Sequence, residues 1–348
     1  MFFASDNAGP AHPAVMQAVM DANTGYQSGY GADALMDDVR VMIRDLFEAQ
    51  DAAVYLTATG TAANSILLAT MANPWDTIFC STIAHIHEDE CNAPEFYSGA
   101  KLTLVAAENA KMTPAALHIS MEGEEARGVH GPQRGPVSIT QVTEKGTVHT
   151  LAELRALTKV AHNFGSKTHL DGARFCNALV SLGCSAADMT WKSGIDAVTF
   201  GGTKNGLMGV EACVIFDPEL AWEFELRRKR GGHLFSKHRY LSAQMKAYLT
   251  DNLWHDLATA ANANCLRLAV GLREYKAASL LFEPQANIIF AQLPRRDHKK
   301  LLDAGANYYV WNGDPHAGDP DHPLIGRFVT DWSITDQSID QFLDILKS

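Results

Sequence analysis

From residue 52 onward, short apolar runs alternate with stretches whose apolar residues recur at helical spacing. The runs predict strands over 53–56, 77–80, 102–105, 137–140, 167–170, 196–200 and 211–216. Helical patterns fall between them, over 61–71, about 88–96, around Ala115, and over 150–163 and 172–182. Strands alternating with helices predict an α/β fold with a mostly parallel, doubly wound sheet. Ahead of the sheet, 14–22 and 34–48 read as helices. Between them lies a glycine-rich loop, 25–31, that carries Tyr26 and Tyr30. The first dozen residues, with Gly9-Pro10 and Pro13, read as an extended arm. Long helical patterns run from 219 to about 277, followed by strand 287–292, helix 297–304, strand 327–329 and helix 336–347. The expected division is an arm (1–13), a large domain (14–235) and a smaller C-terminal α/β domain (236–348).

Two of the apolar runs lead into ionisable residues: His169-Leu-Asp171-Gly-Ala-Arg174 and Phe200-Gly-Gly-Thr-Lys204-Asn205. Open α/β sheets keep their chemistry at the carboxyl ends of the strands. A carboxylate and an amine on successive strands suit pyridoxal 5'-phosphate (PLP): a lysine carries the aldehyde and an aspartate keeps the pyridine nitrogen protonated. The pair points to a PLP site. Asp171 also reads as the N-cap of helix 172–182, and Lys204 as a solvated loop residue.

Composition narrows the field. A chain of 348 residues, 47% hydrophobic and 20% charged, has material for two domains and a substantial core, and disorder is not expected. A net charge of −11 gives no support to nucleic-acid binding. The one basic run, Arg227-Arg-Lys-Arg230 with 237–239 beyond it, reads as a solvated helix end or a site for one small anion. Six cysteines without CxxC spacing read as thiols of a reducing compartment. With no signal-peptide pattern at the start and no apolar run near membrane-spanning length, a cytoplasmic protein is expected.

Two further stretches carry candidate chemistry. Thr57-Ala-Thr-Gly60-Thr61-Ala-Ala-Asn64 sits at a strand-to-helix junction, where free N–H groups favour a phosphate. It has neither Walker nor GxGxxG spacing, so neither a nucleoside triphosphate nor NAD is indicated, and a glycine in such a turn also has a purely steric reading. In Ala84-His85-Ile-His87-Glu88-Asp89-Glu90, a metal site would need a third ligand, and none is identifiable. The other readings are a histidine packed on a cofactor ring and a surface histidine pair.

These motifs, with Ser5-Asp6, Ser28-Gly-Tyr30-Gly31, Thr203-Lys204-Asn-Gly206 and Arg327-Phe-Val-Thr, run in order over nearly the whole chain. Together they resemble the low-specificity threonine aldolases, PLP-dependent enzymes of fold type I (aspartate aminotransferase-like). The resemblance implies a seven-stranded type of sheet in the large domain and PLP as cofactor. It implies Lys204 as the Schiff-base lysine, Asp171 at the pyridine nitrogen, Gly60 and Thr61 at the phosphate, and His85 on the ring. Ser5, Arg174 and Arg327 would hold the substrate carboxylate, with Arg174 also beside the cofactor. Tyr30 and a basic residue near 228–230, assigned to Arg230, would reach across a subunit interface of a homodimer or homotetramer. No metal is implied.

The activity implied is a carbon–carbon lyase that cleaves L-threonine, L-allo-threonine or a relative such as phenylserine to glycine and an aldehyde. Rival readings are another PLP reaction on the same fold (β-elimination, racemisation or transamination) and a PLP-binding protein without catalysis. One departure bears on mechanism. Many family members carry a second histidine in an Asn-Thr-His-Asn context after the fourth strand, where this chain has Thr140-Gln141-Val142-Thr143. The acceptor of the β-hydroxyl proton is left among His85, His87 and a bound water.

Overall fold

The computed structural model describes residues 1–124 and 126–348. Strands β1 (Ala53–Thr57), β2 (Asp76–Ser81), β3 (Lys101–Val105), β4 (Gln133–Thr140), β5 (Thr168–Gly172), β6 (Ala197–Gly201) and β7 (Glu211–Ile215) form one sheet in the order β1-β7-β6-β5-β4-β2-β3. β7 lies antiparallel to both of its neighbours, and the remaining pairs are parallel. The reversal has a steric origin. Parallel neighbours need a crossover of about a dozen residues or more, and the link 202–210 is too short for one. β1 to β6 therefore all end on the same edge of the sheet.

Helices α1 (Pro13–Asp21) and α2 (Ala34–Leu46) precede the sheet. Between its strands lie α3 (Gly60–Met71), α4 (His85–Glu88), α5 (Ala93–Ser98), α6 (Pro114–Gly123), α7 (Leu151–Asn163), α8 (Phe175–Leu182) and α9 (Ala186–Met189). α10 (Ala221–Arg230), α11 (Arg239–Leu249) and α12 (Leu253–Glu274) follow it. A second sheet contains β8 (Ser279–Leu280), β9 (Ile288–Pro294), β10 (Tyr309–Trp311) and β11 (Pro323–Val329) in the order β8-β9-β11-β10. It is antiparallel throughout and carries α13 (Arg295–Asp303) and α14 (Asp336–Lys347).

Three helical expectations change. The helix expected over 88–96 is two short ones, because Cys91 and Asn92 take left-handed backbone (φ 49° and 59°) and Pro94 opens the next turn. The pattern from 219 to 277 breaks at Gly232 (φ 79°) and again at Asp251 and Asn252 (φ 51° and 58°). The helix expected from 172 begins only at Phe175, so Asp171 belongs to β5 and does not cap it.

The largest core packs against one face of the large sheet, and two smaller ones cover the other. Phe47 stands at its centre with no exposed surface, its ring 5.5 Å from Phe175, 5.7 Å from Phe200 and 5.9 Å from Phe216. Leu241, Met245 and Tyr248 of α11, and Trp254 and Leu257 of α12, join this core. Farther along α12, Cys265, Leu268 and Leu272 join a second core under the small sheet, together with Phe3 of the N-terminal arm. The cores meet part-way along α12, downstream of residue 236 where the sequence put the limit. No helix among the described residues is long and apolar enough to cross a membrane.

Replacing Phe47 by Ala removes a ring that three other aromatics pack against, and should cost about 3–5 kcal/mol. Urea unfolding checks this as a lowered midpoint with an unchanged slope.

Candidate active site

The shared edge of β1 to β6 gathers the ionisable residues around a cavity of about 230 Å3. Gly60, Thr61, His85, Asp171 and Lys204 all line it, as do Asn64, Glu90 and Glu211. Each arrives by its own route: Gly60 and Thr61 from the start of α3, His85 from the start of α4, Asp171 from the end of β5, and Lys204 from the 3-10 turn Thr203–Asn205 after β6.

Local sequence explains the α3 entry. Thr59 caps the helix by accepting the Ala62 N–H on its side chain, while the N–H groups of Gly60 and Thr61 remain free at the helix start. A Cβ built at Gly60 meets nothing within 4 Å, so the space there is open to an anion. At the lysine the opposite holds. A Cβ on Gly202 would come 2.3 Å from Leu207 Cδ1, and one on Gly201 2.5 Å from the Ala173 carbonyl. The two glycines let β6 turn tightly into Lys204.

Among the described residues, no hydrogen bond or ion pair reaches the Lys204 amine. Burial holds its pKa below the usual lysine range and the Arg174 cation lowers it further, against the carboxylates of Asp6, Asp171 and Glu211. A lowered pKa brings the neutral, nucleophilic form of an amine within easier reach.

Asp171 is 2% exposed. Its Oδ1 accepts the Ala173 N–H at 3.0 Å, and its Oδ2 accepts Asn64 Nδ2–H at 3.0 Å. The same amide nitrogen donates to Glu90 Oε1 at 3.0 Å, and Asn64 Oδ1 accepts the Thr199 hydroxyl at 2.8 Å. Glu90 Oε1 also receives His85 Nδ1–H at 2.8 Å. That bond leaves Nε2 as the other ring position of His85. It raises the His85 pKa above the ordinary imidazole value, burial opposes the rise, and Asp171 adds to it. The His85 backbone N–H donates to Glu144 Oε1 at 2.8 Å, so a carboxyl from the loop after β4 caps α4, which has no side-chain cap of its own. Burial pushes Glu144 up to about 7.

The remaining expected residues stand apart from this cavity. Arg174 turns its fork to Asp6, with Nε at 2.7 Å and Nη2 at 2.8 Å from the two carboxylate oxygens. Ser5 accepts the Asn7 N–H on its hydroxyl. Arg327 donates from Nη1 to the Ala4 carbonyl at 3.3 Å, and burial, with Arg174 nearby, brings its pKa down to about 10. These residues form a cluster around the N-terminal arm, in which Arg174 already has a carboxylate partner and Arg327 does not. Tyr30 is 53% exposed, with Lys229 Nζ 4.7 Å from its ring centroid. Arg230 is exposed at the end of α10. Its neighbour Arg228 is buried in its own chain, over the Tyr55 ring at 4.9 Å and donating to the Leu56 carbonyl at 3.2 Å.

Sequence reasoning missed Asn64, Glu90, Glu144 and Glu211. The first two lay inside motifs already singled out. Glu90 ends an acidic run that reads as solvated, and only the left-handed turn at Cys91 and Asn92 marks where the chain folds it inward.

The family described as beta-eliminating lyase matches residues 3–313. The low-specificity L-threonine aldolase of Pseudomonas aeruginosa is 38% identical over 332 residues, 95% of this chain and 92% of that protein. The enzyme of the same description from a Pseudomonas sp. is 38% identical over 334 residues, again 95% and 92%. The chain belongs to the beta-eliminating lyase family. The solved threonine aldolase of Leishmania major superposes with a TM-score of 0.92 at 26% identity, over 99% of this chain and 98% of that one.

In Glu90→Gln, the carboxylate that holds the His85 proton becomes a neutral amide, so the imidazole should lose its proton at lower pH. An NMR titration of the His85 ring reads the midpoint, which should fall relative to the unaltered protein.

Proposed function

We propose that the protein is a PLP-dependent aldolase that cleaves L-threonine, L-allo-threonine and related β-hydroxy-α-amino acids to glycine and an aldehyde. The carrying observation is one cavity lined together by an unpartnered lysine amine, a hydrogen-bonded aspartate and the open start of α3. This donor set fits PLP. Lys204 would hold its aldehyde carbon, Asp171 its ring nitrogen, the N–H groups of Gly60 and Thr61 its phosphate, and His85 would pack on its ring. When bound, PLP supplies a sink for the electron pair left on the substrate Cα as the Cα–Cβ bond breaks.

The chain's own residues do the rest. Arg327, a half-buried guanidinium without a carboxylate partner among the described residues, is the anchor for the substrate carboxylate, with Ser5 and Arg174 beside it. A carboxylate fixed there sets which Cα bond faces the electron sink. His85 accepts the β-hydroxyl proton at Nε2 while its Nδ1–H stays on Glu90, and the aldehyde departs as that proton leaves. The stretch where many family members carry a second histidine, Thr140-Gln141-Val142-Thr143, has none here, and its Thr143 is buried and hydrogen-bonded to Thr147 at 2.6 Å. Of His85 and His87, His85 is the one that lines the cavity, which favours it as the base.

Tyr30 and Arg230 reach outward from this chain, which favours a homo-oligomer in which each copy completes its neighbour's site. Six free cysteines, four of them buried, fit a reducing compartment such as the cytoplasm.

The test is acetaldehyde and glycine formed from L-threonine by the purified protein with PLP. 2-Oxobutyrate and ammonia in their place would assign β-elimination, and no product from any β-hydroxy-α-amino acid would overturn the reading. Lys204→Ala should lose the visible absorbance of the covalently held cofactor together with at least about 100-fold of the activity. Retention of that absorbance in the purified variant counts against Lys204.

A further inference from the structure

Glu211 opens β7, the strand that runs against the sheet, and the register sets it between Thr57 at the end of β1 and Gly201 at the end of β6. It is fully enclosed yet forms part of the cavity wall with Lys204. Its Oε2 accepts the Gly202 N–H at 2.7 Å. Gly202 is the N-cap of the 3-10 turn that carries the lysine. No side chain can cap that turn from Gly202 itself, because a Cβ there collides with Leu207 and comes 2.7 Å from the Val210 carbonyl. The carboxylate from the neighbouring strand takes the place of that cap. At the other end of the turn, Asn205 donates to the Tyr248 hydroxyl at 2.6 Å and to the Trp254 carbonyl at 2.8 Å. Lys204 is thus strung between two buried anchors, one of them ionisable.

We propose that Glu211 is a positioning residue for Lys204: its carboxylate fixes the turn that aims the lysine and supplies negative charge behind the amine. The inference rests on the reading of Lys204 as the residue that holds the cofactor. Burial pushes Glu211 up to about 7, with the Gly202 N–H and the Lys204 cation acting in the opposite direction. The other titratable groups whose electrostatics involve Glu211 are Cys176 of α8, Cys213 of β7 and Tyr248 of α11. Burial raises all three far enough to keep them neutral near pH 7, the thiols to about 12. Lys204 is the one cation among these groups, so a change of charge on Glu211 is felt chiefly by that amine.

The test uses the full chain freed of cofactor. Trinitrobenzenesulfonate labelling of Lys204, read by peptide mass spectrometry against pH, reports the free amine, with the exposed Lys101 as internal reference. Glu211→Gln keeps an acceptor for the Gly202 N–H and removes the charge. A lysine without its neighbouring anion gives up its proton more readily, so on the rising limb Lys204 should label at least about 2-fold faster than in the unaltered protein, with Lys101 unchanged. A coincident profile would reduce Glu211 to a structural contact and overturn the proposal.

Should Glu211→Gln fail to fold, Lys204→Met gives the reciprocal readout. The Glu211 carboxyl is followed by carbon-13 NMR in glutamate-labelled protein, the signal being assigned by its absence in Glu211→Asp. Loss of the ammonium should move its titration to higher pH, and a titration that stays in place overturns the proposal. Both readouts follow the amine and the carboxyl themselves, so they hold or fail independently of whether threonine is the substrate.

Discussion

The site depends on one carboxamide. Asn64 has two amide hydrogens, and it gives one to Asp171 and the other to Glu90. Two carboxylates this close, away from water, need shared donors to stay in place. The amide cannot turn over, because its oxygen is committed to the Thr199 hydroxyl, and Thr199 in turn meets His169 at 3.2 Å. Burial brings His169 down to about 4, so the ring is neutral, and its other nitrogen meets the Ser138 hydroxyl at 3.0 Å. A continuous line of hydrogen bonds thus runs from the interior of the sheet to the imidazole at the cavity. It fixes the tautomer of His85 as firmly as the position of Asp171.

How far this was legible in the sequence follows from which signals are local. Asp171 and Lys204 could be found because each follows an apolar run and sits beside glycines, and strand ends of that kind face a common edge. Gly60 and Thr61 were legible for the same reason. The direction of β7 was not, since an apolar run looks the same whichever way it points, and only the length of the link before it carried the information. Helix limits failed where backbone conformation decided them, at Cys91-Asn92 and Asp251-Asn252, whose left-handed geometry has no hydrophobic signature. Glu90 and Glu144 were missed because acidic residues in polar stretches read as solvated, and Glu211 because an acidic residue at the end of an apolar run reads as the strand's limit. Their burial is a property of the packing around them.

The arginines show the same limit from another side. Arg174 and Arg327 were found as a pair, yet packing gives them unlike surroundings: the fork of Arg174 is satisfied by Asp6, and Arg327 has only a carbonyl. The asymmetry makes Arg174 a fixed strut and leaves the charge of Arg327 uncompensated by an ion pair among the described residues. Nothing in the two motifs distinguishes them, because the difference comes from a residue at the opposite end of the chain.

That distance governs when the site comes into being. Asp6 meets Arg174 across 168 residues and Asn287 across 281, and Ala4 meets Arg327 across 323. Contacts of such span form late, since the loops they close carry the largest entropy. During synthesis the arm emerges first; Arg174 is available to Asp6 once β5 is made, but Asn287 and Arg327 come only with β9 and β11. A nascent chain stopped after β7 would contain the lysine, the aspartate and the start of α3, but neither Arg327 nor the α11 and α12 groups that hold Asn205 beside the lysine. The cavity and the arginine cluster beside it are therefore completed at different moments in the life of the polypeptide.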